Sequence, residues 1–184
     1  VSKASIQEKG ELDAFWRTED PWQYRSTVDD RLRLAELKAA LPRREYRRTL
    51  DVGCGDGFVT FELPGERVLG LDLSAEALAW ARKAAAARPD GARFEFREAS
   101  VFDLGSLALE PQDLVVITGV LYPQYIARGF AAIDATVQRL LAPGGILVSV
   151  HIGAWHPHGF GLTRLVQRRY AYRQYEHVLE VYQR

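Results

Sequence analysis

Three glycines spaced one residue apart, Gly53, Gly55 and Gly57, follow the short run Thr49-Leu50-Asp51-Val52, with Cys54 and Asp56 set between them. Glycines in that pattern after a strand let the backbone turn tightly and approach a ligand closely. The two acids narrow the choice of ligand. Carboxylates flanking such a loop would repel a pyrophosphate, so a ligand carrying positive charge fits better. A further acid, Asp72, lies 19 residues past Gly53, close to the offset of about 20 at which a carboxylate grips ribose hydroxyls. Together these residues point to an adenosine ligand with a cationic end.

The run Leu50-Asp51-Val52-Gly53-Cys54-Gly55-Asp56-Gly57 resembles motif I of the class I S-adenosylmethionine-dependent methyltransferases. The resemblance implies that Asp51, Gly53, Cys54 and Gly55 hold the methionine end of S-adenosyl-L-methionine, and that Asp72 and Leu73 hold its ribose. Leu114 to Ile117 resembles motif II and leads into Thr118-Gly119-Val120-Leu121-Tyr122-Pro123, a loop expected to border the transferring methyl. In the family pattern an aspartate commonly follows the third strand and accepts from the adenine amino group. Ser100 stands there, and its hydroxyl can accept without charge assistance. Adenine contact is therefore expected at Ser100 and the backbone of Val101, with Asp103 as a substitute acceptor or a plain turn residue. Asp20-Pro21-Trp22-Gln23-Tyr24 resembles the amino-terminal segment of the nodulation-type (NodS-like) N-methyltransferases, which nominates Trp22 and Tyr24 as lid contacts.

The elements that would position these groups alternate between strands and helices. Helical spacing of Val28, Leu32, Leu34, Ala35, Leu37 and Leu41, stopped by Pro42, predicts a helix from Thr27 to Leu41. Strands are expected at 48–52, 67–71 and 93–99, and Ser74 is the natural N-cap of an alanine-rich helix from Ala75 to about Ala87. A short helix over 58–63 would aim backbone N–H groups at the cofactor carboxylate. The run 113–117 reads as a strand, 130–141 as a helix broken by Pro143-Gly144-Gly145, and 146–150 as a buried strand. Rings and charges alternate through Tyr170, Tyr172, Tyr175 and Tyr182, predicting two antiparallel strands in the tail. The result is an α/β, Rossmann-like class I methyltransferase fold with a seven-stranded, mostly parallel sheet and a carboxy-terminal antiparallel hairpin. One domain is expected over 1–184, with 1–45 an aromatic arm and helix forming a lid and 46–184 the cofactor-binding core.

With 184 residues, 24 basic and 24 acidic side chains balance to zero formal charge, which offers no global field for nucleic acid or an anionic membrane. The arginines at 43, 44, 47 and 48 read as a solvated linker. Cys54, the single cysteine, has no disulfide partner in the chain. No apolar run approaches the roughly 20 residues that cross a bilayer, and Lys3, Glu8, Lys9 and Glu11 are unlike a signal peptide, so a cytoplasmic protein is expected.

The function expected is transfer of a methyl group from S-adenosyl-L-methionine, leaving S-adenosyl-L-homocysteine, to an oxygen or nitrogen of a small-molecule acceptor, a sugar or secondary metabolite among them. Transfer to a hydroxyl is helped by a base. His151 at a strand end is the first candidate and Tyr122 the second. His151, His156 and His158 lack an accompanying acid or cysteine at ligand spacing, so no metal is expected. Three other readings stay open: a nicotinamide oxidoreductase, disfavoured by Asp51 and by the lack of room for a catalytic domain; a catalytically silent cofactor-binding module; and methylation of a macromolecule. The oligomeric state is not legible.

Overall fold

Leu114, Val115, Val116 and Ile117 are almost completely buried, as a continuous apolar run must be when helices cover both faces of a parallel sheet. They form the centre of strand β4 (Gln112–Thr118). The computed structural model describes residues 9–156 and 158–184; residues 1–8, with Lys3 and Glu8, and Pro157 lie outside the described residues. Its other strands are β1 (Arg48–Val52), β2 (Arg67–Asp72), β3 (Phe94–Glu98), β5 (Leu141–Ile152), β6 (Thr163–Tyr172) and β7 (Tyr175–Gln183). The helices are α1 (Lys9–Phe15), α2 (Val28–Ala40), α3 (Ala75–Ala86), α4 (Pro123–Ile126) and α5 (Phe130–Leu140).

The seven strands form one sheet in the order β3-β2-β1-β4-β5-β7-β6. All pairings from β3 to β5 are parallel, whereas β7 runs antiparallel to both β5 and β6. The chain leaves β1 toward β2 on one side and later returns to place β4 on the other. The crevice at the carboxyl ends of β1 and β4 is thus the switch point where open α/β sheets bind ligands. Alternate residues of β5 feed different cores. Val148 and Val150 join Leu37 of α2, and Leu147 joins Ile133 and Val137 of α5.

Three expected elements differ. Residues 58–63 form only a 3₁₀ turn, Thr60–Glu62; with Pro64 next in the chain, the segment cannot sustain a helical nucleus. The tripeptide Pro143-Gly144-Gly145 lies inside β5, paired through Leu141 to Gln112 across an irregular register. In α2 the buried face is Asp30, Arg33, Leu37 and Ala40, while Val28 is 71% and Leu32 39% exposed. Two charged residues take the inward positions that leucine spacing suggested for apolar ones. No helix among the described residues is long and apolar enough to cross a membrane.

Candidate active site

The turn after β1 is tied to β2, because the N–H groups of Gly53 and Cys54 both donate to the Leu71 carbonyl at 2.7 and 2.9 Å. Gly53 has φ of 77°, and a Cβ there would lie 2.0 Å from Val120 Cγ2 of the loop after β4. No other residue fits that approach. The two loops face each other across a cavity of about 570 Å³, within the range of roughly 300–1,000 Å³ for small-molecule sites. Gly53, Cys54, Gly55, Thr118 and Gly119 line it.

Asp72 ends β2 and also lines the cavity. Its carboxylate accepts from Gly55 N at 2.8 Å and from Ser74 N at 2.9 Å, which fixes the glycine turn to the start of α3. Burial raises its pKa, opposed by the backbone N–H groups of Ser74, Gly55 and Leu73. Each oxygen keeps a lone pair for a ligand hydroxyl. Ser74 caps α3 by accepting from Ala77 N, which leaves Asp72 free of that duty. Leu73, Ser100 and Val101 continue the wall. Ser100 Oγ accepts from Phe102 N at 3.2 Å while Asp103 accepts from Ser100 N at 2.9 Å, a reciprocal cap on the turn Val101–Asp103. Asp103 is thereby a turn residue outside the cavity lining, not a substitute acceptor.

The two acids of the glycine loop do not line the cavity. Asp51 is fully buried. It accepts from Thr60 Oγ1 at 2.6 Å, its Oδ1 has no partner among the described residues, and burial lifts its carboxyl to about 7. Asp56 is buried, pairs with Arg25 of the arm and accepts from Phe58 N at 3.2 Å. Since β-strand side chains alternate, Asp51 points away from the side on which Val52 meets the cavity. With no helix at 58–63, no helix N-terminus supplies donors there either. A buried cation does line the cavity, Arg33 of α2, its guanidinium 4.7 Å from the centre of the Tyr24 ring and 5.9 Å from that of Phe58. Sequence reading missed it. The available signal was its spacing, three residues after Asp30 and four before Leu37, on one helix face.

Trp22 and Tyr24 of the arm line the same cavity as Tyr122 and Trp155. The Tyr122 and Trp155 rings meet edge to face at 5.2 Å. Tyr122 Oη accepts from Ile152 N at 2.9 Å, and burial raises the phenol to about 12, so it stays protonated at neutral pH. His151 is not part of the lining. It points to the face opposite Ile152, within 3.2 Å of Ser149 Oγ and 4.4 Å, ring to ring, from His156; burial, and then His156, lower it to about 3. The imidazole that does line the cavity is His177 of β7, stacked 3.7 Å from Tyr172. Burial, and then Arg33, hold it neutral, at about 3. His156 and His158 pack against Phe130, and no cluster of metal-binding side chains occurs among the described residues.

A loop of glycines tied to an acid at the end of β2, at the switch point of a sheet ordered 3-2-1-4-5-7-6, defines a class I methyltransferase fold. A family profile described as a methyltransferase domain matches residues 44–178, and the chain belongs to that family. Among curated proteins it is similar to the trans-aconitate 2-methyltransferase of Streptomyces avermitilis, 37% identical over 137 residues, which covers 70% of this chain and 48% of that protein. It is likewise similar to the trans-aconitate 2-methyltransferase of Deinococcus radiodurans, 35% identical over 147 residues, covering 77% and 52%. The chain thus spans about half the length of these relatives. Among solved structures, the N-methyltransferase NodS from Bradyrhizobium japonicum in complex with S-adenosyl-L-homocysteine superposes with a TM-score of 0.78 at 21% identity, over 95% of this chain and 97% of that one. That likeness concerns the fold.

Proposed function

We propose that this chain is an S-adenosylmethionine-dependent methyltransferase that modifies an oxygen or nitrogen of a small molecule. The observation that carries the reading is one continuous cavity with an adenosine end at Asp72 and Ser100, a glycine cradle that a Cβ would fill, and an aromatic end at Tyr122 and Trp155. The relatives named trans-aconitate 2-methyltransferases support a small acceptor.

In this reading Gly53 to Gly55 cradle the methionine end and Arg33 takes its carboxylate, the role a helix N-terminus was expected to play. Asp72 accepts from the ribose hydroxyls, with Leu73 beside it. Ser100 and Val101 border the adenine, and Thr118 and Gly119 border the sulfonium. S-adenosyl-L-methionine supplies an already electrophilic methyl, which the acceptor lone pair takes as the carbon–sulfur bond breaks. The protein aligns and excludes water. Tyr122 holds its place by accepting from Ile152 N and acts as an orienting wall. The arm ahead of β1 forms the lid, Trp22 and Tyr24 facing the ligand. Because His151 stands off the cavity and His177, lowered to about 3, is too weak a base to hold an acceptor proton, no base is assigned, which suits an acceptor that needs none. The same observation favours, as second reading, a cofactor-binding module without turnover.

Calorimetric titration with S-adenosyl-L-methionine and S-adenosyl-L-homocysteine tests the cofactor site. Micromolar binding to the wild type, weakened at least about tenfold in a folded Asp72→Ala protein, is expected from loss of a charged hydrogen-bond acceptor. Absence of binding to either ligand refutes the proposal. Transfer of a labelled methyl to a small-molecule extract then separates an enzyme from a silent module.

A further inference from the structure

Asp30 is completely buried and gathers four donors. Tyr172 Oη at 2.8 Å and Arg33 Nη2 at 3.2 Å approach Oδ1; Arg173 Nη2 at 2.9 Å and Thr27 Oγ1 approach Oδ2. A carboxylate offers about four lone-pair sites, so this one is saturated. It is the carboxylate that both guanidiniums contact; the side chains Tyr24, Tyr172 and His177 around it are neutral, and Asp51, a second acid that acts on Arg33, is lifted to about 7 by burial. Arg173, at the tip of the β6–β7 hairpin, is a third exposed and so partly hydrated; the Arg33 side chain is only 8% exposed. Arg33 Nε has no partner among the described residues. The cluster therefore holds an excess of positive charge, at the buried member that lines the cavity. A lone buried charge is costly unless something of opposite sign completes it.

The same cluster also ties two separate parts of the chain together. Arg173 Nη2 donates to the Trp22 carbonyl at 2.8 Å, fastening the arm to the hairpin. The nearer part of the arm is held independently, by Asp13 accepting from Ser74 Oγ at 2.7 Å and by Trp80 Nε1 donating to the Trp16 carbonyl at 3.0 Å. The segment around Trp22 and Tyr24 is thus tied to the charge cluster through the Trp22 carbonyl, beside the Arg25–Asp56 pair and the packing of Tyr24 on Phe58, whereas the segment around Trp16 has no link to the cluster among the described residues.

We infer that Asp30 is a positioning residue which, through Arg33 and Arg173, makes binding of the cofactor carboxylate and closure of the Trp22–Tyr24 segment a single event. The ligand carboxylate supplies the missing negative charge, relieves repulsion between the two guanidiniums, and leaves Arg173 fixed on Trp22. This rests on the proposed cofactor, and concerns only how the chain responds to one group of it.

The test compares S-adenosyl-L-methionine with its decarboxylated form, which differs by the carboxylate alone. Calorimetry gives affinities, and amide hydrogen exchange reads the arm. In the wild type, the carboxylate is expected to improve affinity by about tenfold or more and to protect amides of residues 22–27, protection that the decarboxylated ligand does not give. In Asp30→Asn and in Arg173→Gln, a change at a partly exposed site that spares the core, that protection is lost. In Asp30→Asn Arg33 keeps its charge, so the preference for the carboxylate form stays at about tenfold or more while the arm protection is gone, binding and closure having been uncoupled. Equal protection by both ligands overturns the inference, as does loss of the preference together with the protection in Asp30→Asn, the result of a merely structural role. Failure of both ligands to bind the wild type refutes the cofactor assignment itself, a different outcome from binding without discrimination.

Discussion

Gly53 shows how a single residue joins packing to function. Its positive φ and the 2.0 Å approach to Val120 leave no room for a side chain. Gly53→Ala is expected to cost about 1–3 kcal/mol in urea unfolding, from backbone strain and overpacking together, and to abolish cofactor binding because the loops after β1 and β4 are forced apart. His151 makes the opposite case. Packed on Ser149 and His156 away from the cavity, it is a structural group. His151→Asn should leave cofactor affinity within about twofold while lowering stability by about 1–2 kcal/mol, read by calorimetry and urea titration. A strand-end histidine with a convenient intrinsic pKa was a reasonable candidate base; burial, which the local sequence does not reveal, removes it from that role.

At the scale of elements, α3 and the arm are joined through Ser74, which caps the helix by accepting from Ala77 N and donates its own proton to Asp13 of α1. Ser74→Ala is expected to cost about 1–2 kcal/mol as a lost cap, and to speed hydrogen exchange in α1 beyond what that cost explains, because the helix loses its anchor. The amphipathic reading of α2 located the helix but misassigned its face. Leucines were counted as inward by type, whereas the strand β6–β7 hairpin offers Tyr172 and Arg173 to that helix, and Asp30 with Arg33 answers them. Which face of a helix is buried depends on what lies opposite, and a helix sequence alone does not contain its partner.

For the molecule as a whole, three buried histidines set an acid limit. Burial lowers His151 to about 3, His156 to about 4 and His177 to about 3, below the unfolded value of about 6.5. The unfolded chain therefore binds protons that the folded chain refuses, and stability, complete above pH about 6.5, falls as pH drops toward the folded values. Each histidine removes up to about 1.4 kcal/mol per pH unit in that window. Urea unfolding at pH 7.5 and 5.5 should show the loss, and His156→Phe should reduce it. Cofactor binding acts in the other direction. S-adenosyl-L-homocysteine at a hundred times its dissociation constant adds about 2.7 kcal/mol, a rise of roughly 5–10 °C in Tm for a chain of this size.

The sequence by itself determined the strands, the glycine turn and Asp72, since their signals are local: apolar runs, glycine spacing and a fixed offset along one β-α-β unit. Ser74 as cap and the terminal hairpin were legible for the same reason. The tertiary structure alone decided which of the other charged and imidazole groups meet the cavity. Asp51 is named from its place beside the glycine loop and His151 from a strand end, yet strand alternation leaves both outside the cavity lining. Arg33, Arg173 and His177 come to the cavity from segments before and after the core sheet. Only the sheet order, which brings β7 in beside β5, and the return of α2 over that pair place them together, because contacts between residues more than a hundred positions apart leave no mark in the spacing of either segment.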